Sequence, residues 1–143
     1  MRGRALIVLA VAVAAAACVA LVVWLRPFRG PQPDISAPLA SADAALKGGY
    51  MTAARDALSS ITPLPTDEDD LMRILKRAVA VSAAGDWAFL DDMAEKAVRA
   101  NGRSARVRAT AVWASLRTGD VARARQLLSR GRLPAEVGDL LRG

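Results

Sequence analysis

The first pattern along the chain is an unbroken apolar run. Ala5 to Leu25 is 21 residues without a charge. As a helix it would span roughly 31 Å, close to the ~30 Å hydrocarbon core of a bilayer. Arg2 and Arg4 precede it, Arg26 and Arg29 follow it, and Trp24 stands where an interfacial anchor belongs. Pro27 and Pro31 then end the helix. The pattern predicts a short N-tail (1–4), a membrane anchor (5–25) and a Pro/Gly linker (26–35). Two processing routes compete with an anchor. Ala15-Ala16-Ala17 fits a signal-peptidase site, and Cys18 after them fits a lipid-bearing cysteine. Either cut would leave Val19 to Leu25 as an exposed apolar start, so the uncleaved anchor is preferred. A short N-tail with Arg2, Arg4 and the α-amino group stays on the cytoplasmic side, which places the rest outside. The expected setting is a bacterial inner membrane crossed once, with the C-terminal part extracytoplasmic.

Beyond Ser36 the spacing of apolar positions is helical, and no stretch alternates well enough for a strand. Breakers fall at Gly48-Gly49, Thr62 to Pro65, Gly85, Asn101-Gly102, Gly119 and Gly131 to Pro134. They predict an all-α domain over 36–143: six helices in pairs, with a short seventh near 135–142. Thr66 with Asp69 resembles a capping box for the third helix, and Ser104 suits the N-cap of the fifth.

Aligning the breakers reveals a repeat. Gly49-Tyr50, Gly85-Asp86 and Gly119-Asp120 each open a helix, spaced by 36 and then 34 residues. Two residues after each Gly stand Met51, Trp87 and Val121; five after, Ala54, Leu90 and Ala124; nine after, Leu58, Ala94 and Leu128. Twelve after stand Ile61, Ala97 and Gly131, and seven before stand Ala42, Ala78 and Val112. These offsets mark one face of each helix, with small residues where a neighbour crosses closely. A helix, a Gly turn and a second helix about every 34 residues resembles the tetratricopeptide repeat. The resemblance covers repeats at about 36–65, 67–102 and 104–134, with 135–142 as a cap. The chain departs from the family at Arg108, where a large apolar residue is favoured, and at Ser115, where Tyr is favoured.

That family implies a right-handed α-solenoid whose first helices line a concave, peptide-binding groove. Here they would supply an apolar floor of Leu39, Leu46, Met72, Leu75, Val79, Trp113 and Leu116. Lys47, Lys76, Arg106 and Arg117 would form the edge. Gly49, Gly85, Asp86, Gly119 and Asp120 are the repeat-turn residues, while Ala5, Trp24 and Leu25 belong to the anchor. Trp87, at the recurrent apolar position, is expected in the core. Members that clamp a terminal carboxylate use Lys, Arg and Asn where this chain has Leu39, Asp43, Leu75 and Trp113, so that ligand is not implied.

Composition narrows the chemistry. There is no His and one Cys, so His-based acid–base catalysis, His metal sites and an internal disulfide are excluded. No catalytic residue, metal site or cofactor is expected. Asp67 to Asp70 reads as negative charge favouring a helix N-terminus rather than as a cation loop. Asp91, Asp92 and Glu95 read as a solvated helix face. The net charge is +6, but the folded part is split. Asp34 to Glu95 carries 5 basic and 11 acidic residues, whereas Lys96 to Gly143 carries 11 basic and 3 acidic. Arg99, Arg103, Arg106, Arg108, Arg117, Arg123, Arg125, Arg130 and Arg132 make the basic half, read chiefly as solvated and secondarily as facing anionic lipid or an acidic protein. No aromatic platform accompanies them, which disfavours nucleic acid. No small-molecule substrate is expected. The sequence thus points to a membrane-anchored protein-binding scaffold serving an envelope complex. The alternatives are a small structural subunit of a larger membrane complex, or a secreted or lipid-anchored interaction protein if the N-terminus is processed.

Overall fold

A computed structural model describes residues 31–131. The anchor run with Ala5, Trp24 and Leu25, the first part of the linker and the expected cap at 135–142 lie outside the described residues. Among the described residues no helix is long and apolar enough to cross a membrane.

Six helices and no strand make up the described part: α1 Ser36–Lys47, α2 Met51–Ser59, α3 Glu68–Ser82, α4 Trp87–Ala100, α5 Ala105–Thr118 and α6 Val121–Ser129. Every interruption coincides with a Gly or Pro breaker read from the sequence. Consecutive helices pack together, α1 on α2, α3 on α4 and α5 on α6; α1 also touches α3, and α3 touches α5. The three first helices therefore share one layer, and one core runs through all three hairpins. It contains Leu39, Leu58, Leu71, Leu75, Leu90 and Val112.

The hairpin turns are near copies. Gly49, Gly85 and Gly119 have φ of +76°, +118° and +83°, in the region L side chains avoid. A Cβ on any of them would meet nothing within 4 Å. The sign of φ, not lack of space, demands glycine. The next residue repeats as well: Tyr50, Asp86 and Asp120 have φ/ψ of −88°/76°, −90°/66° and −82°/74°. In the first and third turns the Tyr50 N–H donates to Ala45 O at 2.9 Å and the Asp120 N–H to Ser115 O at 2.8 Å. These bonds close the αL-capped helix end and satisfy carbonyls the helix leaves open. Asp86 and Asp120 then cap the following helix, accepting from the N–H groups of Phe89 and Arg123.

The other helix starts are capped differently. Ser104 Oγ accepts from Val107 N–H, as expected. The third helix differs from the sequence reading, because its N-cap is Asp67, not Thr66. The Asp67 carboxylate accepts from the N–H groups of Asp69 and Asp70 at 3.0 and 3.2 Å. A carboxylate at that position serves two orphan donors, and Glu68, Asp69 and Asp70 fill the first turn, where the helix dipole favours negative charge. At α1, Ile35 offers no side-chain cap. Asp34 instead accepts from the Ser36 hydroxyl and N–H, which hold its carboxyl below the usual range.

The offsets five after and seven before each turn glycine are buried in all three hairpins, the last included. Ala54, Leu90 and Ala124 are buried, as are Ala42, Ala78 and Val112. Gly119→Ala should cost about 1 kcal/mol through backbone strain alone. Leu71→Ala, which opens a cavity under α3, should cost about 3 kcal/mol. Urea unfolding followed by far-UV circular dichroism checks both, and equal losses would contradict the account of the turn.

Candidate functional site

The first helices present a stripe at thirteen, nine and six residues before each turn glycine. It reads Ser36, Ala40, Asp43 in α1, then Met72, Lys76, Val79 in α3, then Arg106, Thr110, Trp113 in α5. In α1 the stripe is small and polar. In α3 it is large and apolar around one lysine, while Thr110 leaves α5 narrow. An open groove of about 580 Å³ forms there, between α3 and α5. Met72, Leu75 and Val79 make its floor, and Thr110 faces them from α5. Asp69, Arg73, Lys76 and Arg106 make its rim. Its volume lies in the ~300–1,000 Å³ range of ligand clefts.

The rim charges are partly engaged. Arg106 reaches from α5 to Glu68 and Asp69 of α3 at 3.3 Å each, spanning one end of the groove. Arg73 pairs with Asp70 one turn back, at 3.1 Å. Lys76 is exposed and makes no ion pair among the described residues. The groove therefore offers an apolar floor and one ammonium left over for a carboxylate.

Of the residues expected in a groove from sequence, the structure brings together Met72, Leu75, Val79, Lys76 and Arg106. The others lie elsewhere. Leu39 is buried in the core, and Leu46 packs against it at the end of α1. These two sit ten and three residues before Gly49; Leu75, at the same offset from Gly85 as Leu39, is equally buried and reaches the groove only because the opening lies between α3 and α5. Lys47 is exposed beside the first turn. Trp113 joins Trp87 in a T-shaped pair with centroids 5.4 Å apart. Arg117 lies over Trp87 at 4.3 Å and Trp113 at 6.0 Å. Leu116 is exposed on the last turn of α5. Trp87, expected in the core, is only half-buried, because at the first turn of α4 it reaches the edge and Arg117 covers it. Asp69, Arg73 and Thr110 were not anticipated as lining; reading the first helices by offset from Gly85 and Gly119 would have found Thr110.

Two groups read as solvated are built into contacts between hairpins. Asp91 and Glu95 do not face water alone: Arg123 of α6 donates to Asp91 at 2.8 Å and lies 3.4 Å from Glu95, while Ser115 Oγ donates to Asp91. Asp92 stays on the surface, paired with Lys96, and Glu95 keeps 41% of its side-chain surface. The basic half is likewise largely engaged. Arg99 pairs with Glu95, and the Arg108 side chain is buried and donates to Gly102 O at 3.0 Å. Position 108 is thus buried, with its charge set against backbone carbonyls. Arg103, Arg125 and Arg130 remain exposed, and Arg132 lies outside the described residues.

Among the described residues no three acidic or thiol side chains converge to hold a metal ion. Comparison with protein families, curated proteins and solved structures finds no match.

Two measurements test the ion pairs. Asp91 and Arg123 keep only 19% and 21% of their side-chain surface, so Asp91→Ala should cost about 2 kcal/mol, against at most about 0.5 for Asp92→Ala. Similar losses in urea unfolding would contradict this. The Arg77 guanidinium of α3 grips Asp43 of α1 with two hydrogen bonds, at 2.7 and 2.8 Å, and holds its carboxyl below the usual carboxylate range. The folded value is depressed, so the stabilisation is present above the unfolded value and fades as pH falls through the folded one. Asp43→Asn should therefore flatten the loss of stability below about pH 4, read from unfolding midpoints across an acid series. An unchanged slope would contradict it.

Proposed function

We propose that the chain is a membrane-anchored, tetratricopeptide-like scaffold whose α3–α5 groove holds a short segment of a partner protein. The observation that carries this reading is the meeting of Met72, Leu75 and Val79 with Lys76 and Arg106 in one open groove. Support for the repeat comes from the turns, alike in φ and ψ, and from alternate helices sharing a layer. Its segment would carry bulky apolar side chains for the floor and a carboxylate for Lys76. Burial of the apolar atoms supplies affinity, and charge supplies orientation and encounter rate. The anchor reading rests on the length and flanks of 5–25. It places the domain close to an inner membrane, in the assembly or stabilisation of an envelope complex. A structural subunit of a larger membrane complex is the second reading, favoured by exposed Tyr50, Leu116, Val121 and Leu128. No chemistry beyond binding is assigned.

Crosslinking the full chain in bacterial membranes and identifying its neighbours by mass spectrometry tests this. Met72→Glu places a charge on the floor and should reduce the captured partner roughly tenfold or more, while Arg125→Glu on α6 should leave it unchanged. Capture of a whole complex, equal for both variants, would overturn the groove and favour the structural subunit.

A further inference from the structure

The last hairpin ends in an open apolar face. Leu58, Ala94 and Leu128 occupy the same offset after their turn glycines. Leu58 and Ala94 are 0% exposed, but Leu128 is 39% exposed. The same contrast separates half-buried Met51 and Trp87 from exposed Val121. Leu58 is covered because α3 packs on α2, and Leu58 and Leu71 share the core. Nothing described plays the part of α3 for α6.

The sequence contains a candidate. Residues 64–73 read LPTDEDDLMR and residues 133–142 read LPAEVGDLLR. Five of the ten positions are identical: Leu64/Leu133, Pro65/Pro134, Asp70/Asp139, Leu71/Leu140 and Arg73/Arg142. Asp67, the cap of α3, is matched by Glu136, and Met72 by Leu141. The offset is 69 residues, against 70 between Gly49 and Gly119. The third hairpin thus leads into this segment one residue sooner than the first leads into α3. In α3 the shared positions are structural: Pro65 and Leu71 are fully buried, and Arg73 pairs with Asp70.

We propose that residues 133–142 pack on the open end of α5 and α6 as the opening of α3 packs on α2, with Leu140 in the place of Leu71 and Leu128 beneath it. The covering partner of this face is the chain's own C-terminal segment. This inference rests on the stacked-hairpin part of the reading above, not on the groove.

The test uses the full chain in detergent micelles. With Cys18→Ser as background, Leu128→Cys and Leu140→Cys should form a disulfide within one chain under mild oxidation. Leu140→Cys with Ala53→Cys, on the first hairpin, sets the random rate. A yield no greater than that control would overturn the proposal, and so would bonds found only between chains, which would assign the face to a second copy. Separately, Leu140→Asp should speed hydrogen exchange of α6 amides about tenfold and leave α1 and α2 unchanged; unaltered α6 exchange would overturn the proposal. Met72→Glu should not change the intrachain disulfide, so failure of the groove and failure of this contact are distinguishable.

Discussion

A two-helix hairpin of this sequence cannot bury both of its apolar sides, and that constraint shapes the domain. Each pair closes one side internally. Leu58 on α2, and Ala94 and Ala97 on α4, then need a neighbouring hairpin to leave water. Stacking meets the need only if every hairpin presents its faces at the same angle. The left-handed glycine and the extended residue after it, nearly the same at all three turns, fix that angle. Small residues in the first helices, Ala42 and Ala78, let the layers approach. The same geometry aligns the first helices side by side, so a groove is available wherever two adjacent stripes leave room.

The stack uses part of the split of charge along the chain. Asp43 of α1 meets Arg77 of α3, Glu68 and Asp69 of α3 meet Arg106 of α5, and Asp91 of α4 meets Arg123 of α6. In each contact the acid belongs to the earlier hairpin and the base to the later one. Two of these contacts, to Arg106 and Arg123, join the acidic first part to the basic second part, while Arg77 lies within the first part itself. Arg55 with Asp86 runs the other way, on the turn instead of between equivalent helices. These pairs are half-exposed or better shielded only at Asp91, so they set register more than they stabilise. Less charge is therefore left to attract a lipid surface or an acidic partner than the sequence count suggests.

Much of the fold was legible because its signals are local. Helix ends coincide with Gly and Pro, and the offsets five after and seven before each glycine fall on buried residues in all three hairpins. What the sequence left unclear depends on side-chain direction. Thr66 looked like a cap because its spacing to an acid fits, but Asp67 has the carboxylate that reaches two N–H groups. Leu39 and Leu46 looked like groove residues because they are apolar and lie on a first helix. A helix turns 100° per residue, so one position off the stripe points into the core. Asp91 looked solvated because Arg123, 32 residues away, is invisible to a local reading.

The position of the groove then has a compositional cause. Between α1 and α3 the facing stripe carries Ser36, Ala40 and Asp43, and Asp43 is tied to Arg77, so the first helices close on a polar contact. Between α3 and α5, Met72 and Val79 stand large on one side and Thr110 small on the other, while Arg106 is drawn away toward Glu68 and Asp69. A bulky residue at Thr110 would fill the space, and without its pull to the acids Arg106 would be free to cover the floor. The acidic first turn of α3 therefore does two things with the same charges. It caps the helix by negative charge at its N-terminus, and it holds Arg106, the long side chain of the α5 stripe, at the rim. The opening of α3 is thus tied at once to the helix start, to the contact between hairpins and to the accessibility of the apolar floor.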